Sequence, residues 1–316
     1  MLLVLALIAG AFFLIPIPYI IFGPGAAVDL SRAITVPGHV PPPGRFYLTD
    51  VNLMPGRPFF YLIARVLPGF EIIHRQELVP PNVSDRQLNL ALIDAMTESQ
   101  TNAQIVAERA AGLTVKARSN FVVTQLVAGA PGARCFRLGD KISSVDGRTL
   151  KDAATLPDAT ASKPAGTMFS LSLHRGGATM TVKCTTFRLR GKPRFGITGS
   201  FQTEAYSLPV HVAFHVPNIN GSSAGLMFAL QIYRTLTNKD ISSSEDVAGT
   251  GVLAADGSVS AIEGAREKVR AATRARARIF LVPVTDYPAI KDTPNIRVIP
   301  VSSFQAALDA LQKAQL

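Results

Sequence analysis

The first 22 residues, Met1 to Phe22, contain no charged side chain. As a helix, such a run extends about 33 Å at 1.5 Å per residue, roughly the hydrocarbon thickness of a bilayer. Pro16 and Pro18 stand near its end, where a membrane helix tolerates a kink. Tyr19 sits where an interfacial aromatic is expected. A cleaved signal peptide needs a basic segment ahead of the apolar run. None precedes it, and the first basic residue is Arg32. The run reads as a single membrane anchor over residues 1–22, with no flanking charge to orient it.

The full length of 316 residues allows two modest domains plus connectors, and 47% hydrophobic against 17% charged residues excludes a disordered chain. The net charge of +10 favours acidic neighbours such as anionic lipid headgroups. Nucleic acid is not expected, because no helix-turn-helix, RNP or zinc pattern accompanies the charge. Cys135 and Cys184 are too few for a zinc site. They read as two small buried hydrophobes, or as a disulfide where the compartment is oxidising. The five histidines are scattered, so no metal is expected, and no cofactor motif appears.

Along the chain, Ile34–Val36 and Phe46–Leu53 read as strands on either side of Pro41–Pro43, and Phe59–Val66 is a further apolar run. Ser84 and Gln87 form a capping box that opens a helix, and Gly112 ends it after about Ala111. From about Leu113 to Arg190, short strands alternate with turn signals such as Asp146-Gly147 and Gly176-Gly177. Three segments carry a pattern: Val127-Ala128-Gly129-Ala130-Pro131-Gly132, Leu138-Gly139-Asp140-Lys141-Ile142 and Val145-Asp146-Gly147. His174-Arg175-Gly176-Gly177 fits a late hairpin. This stretch of roughly 75 residues resembles a bacterial PDZ domain, a resemblance that implies capture of extended peptides by strand addition. It departs from that family at the carboxylate-binding loop. Only Arg118-Ser119-Asn120 precedes Phe121, with no glycine, so an internal spacer is the other reading. Cys135 and Cys184 are expected near each other in the core of this module.

The chemistry centres on two segments. In Ile219-Asn220-Gly221-Ser222-Ser223-Ala224-Gly225-Leu226, a glycine-rich turn runs directly into a helix. Ser223 sits in its first turn, where backbone N–H groups and positive potential favour an oxyanion. The alternative is that Ser222 or Ser223 only caps the helix. In the second segment, a helical projection puts Gly264, Ala265, Lys268, Ala271, Ala272 and Ala275 on one side and Arg266, Arg270 and Arg274 on the other. Lys268 thus lies in a stripe of small residues that packs closely. Desolvation lowers its pKa, and a neutral lysine is a general base for a serine. The alternative is a lysine whose head reaches water.

Together these segments resemble the proteolytic domain of Lon-type serine peptidases. The resemblance matches that family's Pro-Ser-Ala-Gly with Ser222-Ser223-Ala224-Gly225, and its Gly-Gly-x-x-x-Lys with Glu263 to Lys268. Thr250-Gly251, Gly257 to Ile262 and Phe280 to Pro283 match the segments between and after. It implies Ser223 as nucleophile and Lys268 as base. Thr250, Gly221, Ser222 and Ala224 would be supporting residues. Two departures stand out: Ser222 replaces proline, and Glu263 replaces the first glycine, where a carboxylate would raise the lysine pKa. They leave a second reading, an inactive or weak Lon-like scaffold whose PDZ module binds peptides.

No Gly-x-x-x-x-Gly-Lys-Ser/Thr loop occurs, so the ATPase of Lon enzymes is not expected. The combination resembles the bacterial membrane-anchored PDZ–Lon proteases, and Phe46–Val51 and Ala95–Gln100 extend the resemblance upstream. It implies an α+β architecture: a Lon-type proteolytic domain (ribosomal protein S5 domain 2-like), a PDZ-like module and an N-terminal transmembrane helix. The expected divisions are 1–22 anchor, 23–112 linker, strands and helix packing with the protease domain, 113–190 PDZ-like, and 191–316 proteolytic. The expected activity is ATP-independent serine endopeptidase cleavage of unfolded or membrane-associated proteins. Expected partners are protein or peptide substrates and the membrane, with oligomerisation left open. The soluble part is expected outside the cytoplasm on a single-pass anchor.

Overall fold

Proline has no N–H to give a helix, and after Pro16 and Pro18 the chain enters strand β1, Tyr19–Asp29. This is a computed structural model, and it describes residues 10, 12–67, 69–79, 83–150, 155–216 and 219–314. Ile20 lies opposite Pro55 on one side and Ile73 on the other, and Ile21 is fully buried. Among the described residues no helix is long and apolar enough to cross a membrane. That overturns the anchor expected over residues 1–22. The membrane as partner and the single-pass, extracytoplasmic placement fall with it. Residues 1–9 and 11 lie outside the described residues. An uncharged run meets the demands of an interior strand as well as those of a bilayer, and here residues 19–22 serve the strand.

The chain continues through β2 (Phe46–Pro55), β3 (Glu71–His74) and helix α1 (Asp85–Ala110). The capping box opens α1: Ser84 Oγ accepts from Gln87 N, and Gln87 Oε1 accepts from Ser84 N at 2.9 Å. A separate compact unit, residues 114–209, then intervenes. It contains β4 (Lys116–Leu126), β5 (Lys141–Val145), α2 (Thr155–Ala161), β6 (Met168–Arg175) and β7 (Ala178–Thr185). It ends with β8 (Phe187–Leu189), β9 (Lys192–Arg194) and β10 (Ile197–Ser207). The first unit resumes with α3 (Gly225–Thr237), β11 (Val247–Gly249), α4 (Ala265–Arg274), β12 (Ile279–Pro283), β13 (Arg297–Val301) and α5 (Phe304–Ala314).

The first unit is built on a six-stranded sheet in the order β13-β12-β11-β2-β1-β3. The four strands from β13 to β2 run parallel, and β1 and β3 are antiparallel additions. Parallel strands are covered on both faces and read as unbroken apolar runs. β12, Ile279-Phe280-Leu281-Val282-Pro283, is buried throughout. Its Ile279 and Leu281 join Phe46, Leu48 and the apolar residues of α3 on one face. Phe280 and Val282 join Tyr47, Val269 and Ala272 on the other. Helix α3 is buried on all sides from Gly225 to Thr235, so it is an interior helix rather than an amphipathic one.

The second unit is an antiparallel sheet in the order β10-β4-β5-β6-β7 over its own core of Val123, Phe136, Ile142, Phe169, Leu171 and Phe195. Cys135 and Cys184 are bridged there, with their Cα atoms 5.8 Å apart. The unit ends at Pro209 rather than at Arg190. Residues 197–207, expected in the proteolytic domain, pair instead with β4, from Ile197 opposite Leu126 to Ser207 opposite Lys116. The glycine sought before Phe121 stands elsewhere, at the start of β10. Gly196 has φ +79°, and a Cβ there would lie 2.3 Å from that of Ala130.

Candidate active site

Ser223 sits where the turn after residue 219 enters α3. Gly221, at φ +95°, turns the chain, and its N–H donates to Leu92 O of α1 at 2.8 Å. Ser99 Oγ, one helical segment further along α1, donates to Ser222 O at 3.1 Å. Ser223 O accepts from Gly251 N at 2.7 Å and from Thr250 Oγ1 at 3.1 Å. Helix α1 and the Thr250-Gly251 segment after β11 thereby fix the backbone around one hydroxyl. The N-cap of α3 is Ala224, with no side-chain cap bond, so the capping role open to Ser222 and Ser223 is filled by neither. Gly225 is required by packing: a Cβ there would meet Ser99 Oγ at 2.9 Å.

Lys268 projects from the second turn of α4. Gly264 precedes this helix at φ +70°, and a Cβ would approach Val51 Cγ1 to 2.8 Å, so only glycine fits. The small-residue face packs as its composition dictates, with Ala271 and Ala272 buried. Lys268 itself is 3% exposed. Its Nζ lies 2.7 Å from Ser223 Oγ and 3.3 Å from Thr250 Oγ1. Burial pulls its pKa down to about 8, against the opposing pull of Asp50, then Asp286, then Glu263. The head does not reach water, which removes the snorkelling alternative.

Glu263 is exposed and is the weakest of the three carboxylates acting on Lys268. Asp286 carried no signal in the sequence, and Asp50 only its place in the resemblance at Phe46–Val51. Asp50 stands on β2, and its Oδ1 accepts from Val51 N at 2.8 Å. Burial raises its pKa, countered by that hydrogen bond and by the charge of Lys268. Asp286 Oδ2 accepts from Ile262 N at 3.1 Å, which holds the loop leading into α4. No local motif ties either of them to Lys268, and only the threading of the sheet shows that they act on the lysine. Ser99 carries a weak signal, the resemblance noted at Ala95–Gln100, and Leu92 lies outside that segment.

Residues 193–311 match the family model described as the Lon protease (S16) C-terminal proteolytic domain, and residues 109–186 match the PDZ domain model. The Lon protease of Neorickettsia sennetsu is 31% identical over 120 residues, 36% of this chain and 14% of that protein. Lon protease 1 of Herpetosiphon aurantiacus is 35% identical over 100 residues, 32% of this chain and 12% of that protein. The match spans only a small part of these relatives. Among solved structures, the PDZ domain of the SdrC-like protein from Listeria monocytogenes is 23% identical, covering 25% of this chain and 86% of that one at a TM-score of 0.25. These matches support a Lon-type proteolytic domain and a PDZ domain within the chain, and the first supports peptidase activity in general.

Proposed function

We propose that the chain is a serine endopeptidase that cleaves unfolded polypeptides through Ser223 and Lys268. The observation that carries this is the 2.7 Å approach of Lys268 Nζ to Ser223 Oγ, with the lysine 3% exposed. A desolvated amine with a pKa near 8 is neutral in a useful fraction of molecules near neutral pH.

In the neutral form the amine lone pair faces Oγ, and one N–H is held by Thr250. The Thr250 hydroxyl proton is committed to Ser223 O, so its oxygen meets the lysine as an acceptor. Lys268 takes the Oγ proton as Oγ bonds to the scissile carbonyl carbon. Backbone N–H groups of the turn from Ser222 to Ala224 stabilise the oxyanion. Lys268 then gives the proton to the leaving amine, the C–N bond breaks, and an acyl-serine remains. Water attacks that ester with Lys268 as base, releasing the acid and restoring the serine. The chemistry uses no nucleotide.

The scaffold reading leaned on Glu263 and Ser222. Glu263 points to solvent, and no observation here favours that reading. The test is hydrolysis of unfolded casein by Ser223→Ala, Lys268→Ala and the double variant. Each single change should cost on the order of 100-fold or more, and the double little beyond either, because the pair acts as a unit. Full activity in either single variant sinks the assignment.

A further inference from the structure

A helix packed on a core buries apolar side chains, and a hydroxyl or amide placed there costs stability unless it is hydrogen-bonded. Helix α1 departs from that pattern where it backs the site. Ser99 and Asn102 lie one turn apart at 2% and 6% exposure. Each reaches a main-chain carbonyl: Asn102 Nδ2 donates to Leu253 O at 3.2 Å, and Ser99 Oγ donates to Ser222 O at 3.1 Å. The second bond bears on the chemistry, because Ser222 O belongs to the peptide group that carries the Ser223 N–H.

A peptide group is planar, and when trans its C=O and N–H point in opposite directions. No cis peptide bond occurs among the described residues. Holding Ser222 O against α1 therefore turns the Ser223 N–H away from α1. The next peptide group is held in the same way, since Ser223 O accepts from Gly251 N and Thr250 Oγ1. That turns the Ala224 N–H away from the Thr250-Gly251 segment. Among the described residues, neither the Ser223 N–H nor the Ala224 N–H donates to a protein acceptor, whereas the Gly221 N–H is engaged by Leu92 O. The two anchors differ in strength. Ser223 O has two donors, and among the described residues Ser222 O has one, Ser99 Oγ.

We propose that Ser99 is a positioning residue for the cleavage reaction, aiming the Ser223 N–H at the oxygen of the scissile carbonyl. The inference rests on the Ser223–Lys268 reading and deepens it. Ser99 is too buried to meet a substrate, so it acts through the Ser222–Ser223 peptide group. As Ser223 Oγ bonds to the carbonyl carbon, an electron pair moves onto the carbonyl oxygen, and a donor fixed beforehand stabilises that charge without reorganising. Without Ser99 this peptide plane is free to rock. Removing an oxyanion donor outright costs on the order of 100- to 1,000-fold in kcat, so loosening one that remains should cost about tenfold.

The experiment compares Ser99→Ala with the parent chain on a short neutral peptide, well below the unfolding temperature of either. Alanine is smaller than serine and a strong helix former, so the helix is kept. The expected result is a kcat lower by about tenfold with KM within about twofold, because the charge develops only after the substrate is bound. A peptide boronic acid reads the same donor without turnover: boron accepts an electron pair from Ser223 Oγ, whose proton passes to Lys268, and a boron-bound oxygen takes the oxyanion's place. It should bind Ser99→Ala about tenfold more weakly, while the same peptide ending in a methyl group should bind both proteins within about twofold. The rising limb of the pH profile around pH 8 should stay in place, since the bond of Ser99 goes to Ser222 O and not to Lys268. An unchanged kcat, a loss confined to KM, an undiminished boronate affinity or a displaced limb each overturns the role of Ser99. Ser223→Ala separates this inference from the reading beneath it. If that variant still cleaves, the Ser223–Lys268 reading fails and the role of Ser99 falls with it. If it is inactive while Ser99→Ala matches the parent, only the role of Ser99 fails.

Discussion

The proposed base, Lys268, is tuned by opposing forces on one ammonium. Burial disfavours the charge of Lys268, while Asp50, Asp286 and Glu263 favour it, in that order. Cleavage should therefore rise with pH as the lysine loses its proton around pH 8. Asp50→Asn removes the largest attractive charge, so the ammonium becomes less favourable and the rising limb moves to lower pH. Glu263→Gly should move it in the same direction by less, since Glu263 is exposed and last among the three. The pH dependence of short-peptide cleavage by the three proteins decides the point. A limb that Asp50→Asn leaves in place or moves upward refutes this account of the tuning. The ranking was not legible beforehand. Glu263 draws the eye because it is five residues from Lys268, whereas Asp50 acts through strand placement.

At the scale of elements, the readable parts were those with a local cause. The capping box of Ser84 and Gln87, the glycine turn into α3 and the small face of α4 each follow from residues within one or two helical turns. What could not be read depends on partners distant in sequence. Residues 19–22 form an interior strand only because β2 and β3 flank them, and 197–207 join the unit of residues 114–209 only because β4 offers a strand to pair with. Arg234 is another such case. It is fully buried in α3, stacks 4.5 Å from the Phe46 ring, and donates to the carbonyls of Pro42, Pro43 and Gly44. The Pro41–Pro43 tract has few N–H groups of its own to organise it, and this guanidinium does so from the helix. Arg234→Ala would leave those carbonyls without a partner and open a cavity, costing about 3 kcal/mol or more. Urea unfolding monitored by circular dichroism measures the loss, and a change under about 1 kcal/mol would contradict it.

The whole molecule folds as two units with separate cores, so one unfolding free energy does not describe it. The Cys135–Cys184 bond lies wholly within residues 114–209, joining positions 49 apart in sequence. Closing a loop of that length restricts the unfolded chain by about 4 kcal/mol in the chain-entropy account. A domain of this size is stable by only about 5–15 kcal/mol in total, so the bond is a large share of what holds the β10-β4-β5-β6-β7 sheet together. Cys135→Ser with Cys184→Ser should lower the melting transition of this unit by roughly 20 °C, taking about 5 °C for each kcal/mol. Ser223 and Lys268 lie in the other unit, whose core contains neither cysteine. Scanning calorimetry of the double variant should show one transition displaced and the other in place. Cleavage of a short neutral peptide should survive to its usual temperature. If cleavage fails at the lowered temperature as well, the bond stabilises more than the unit that contains it.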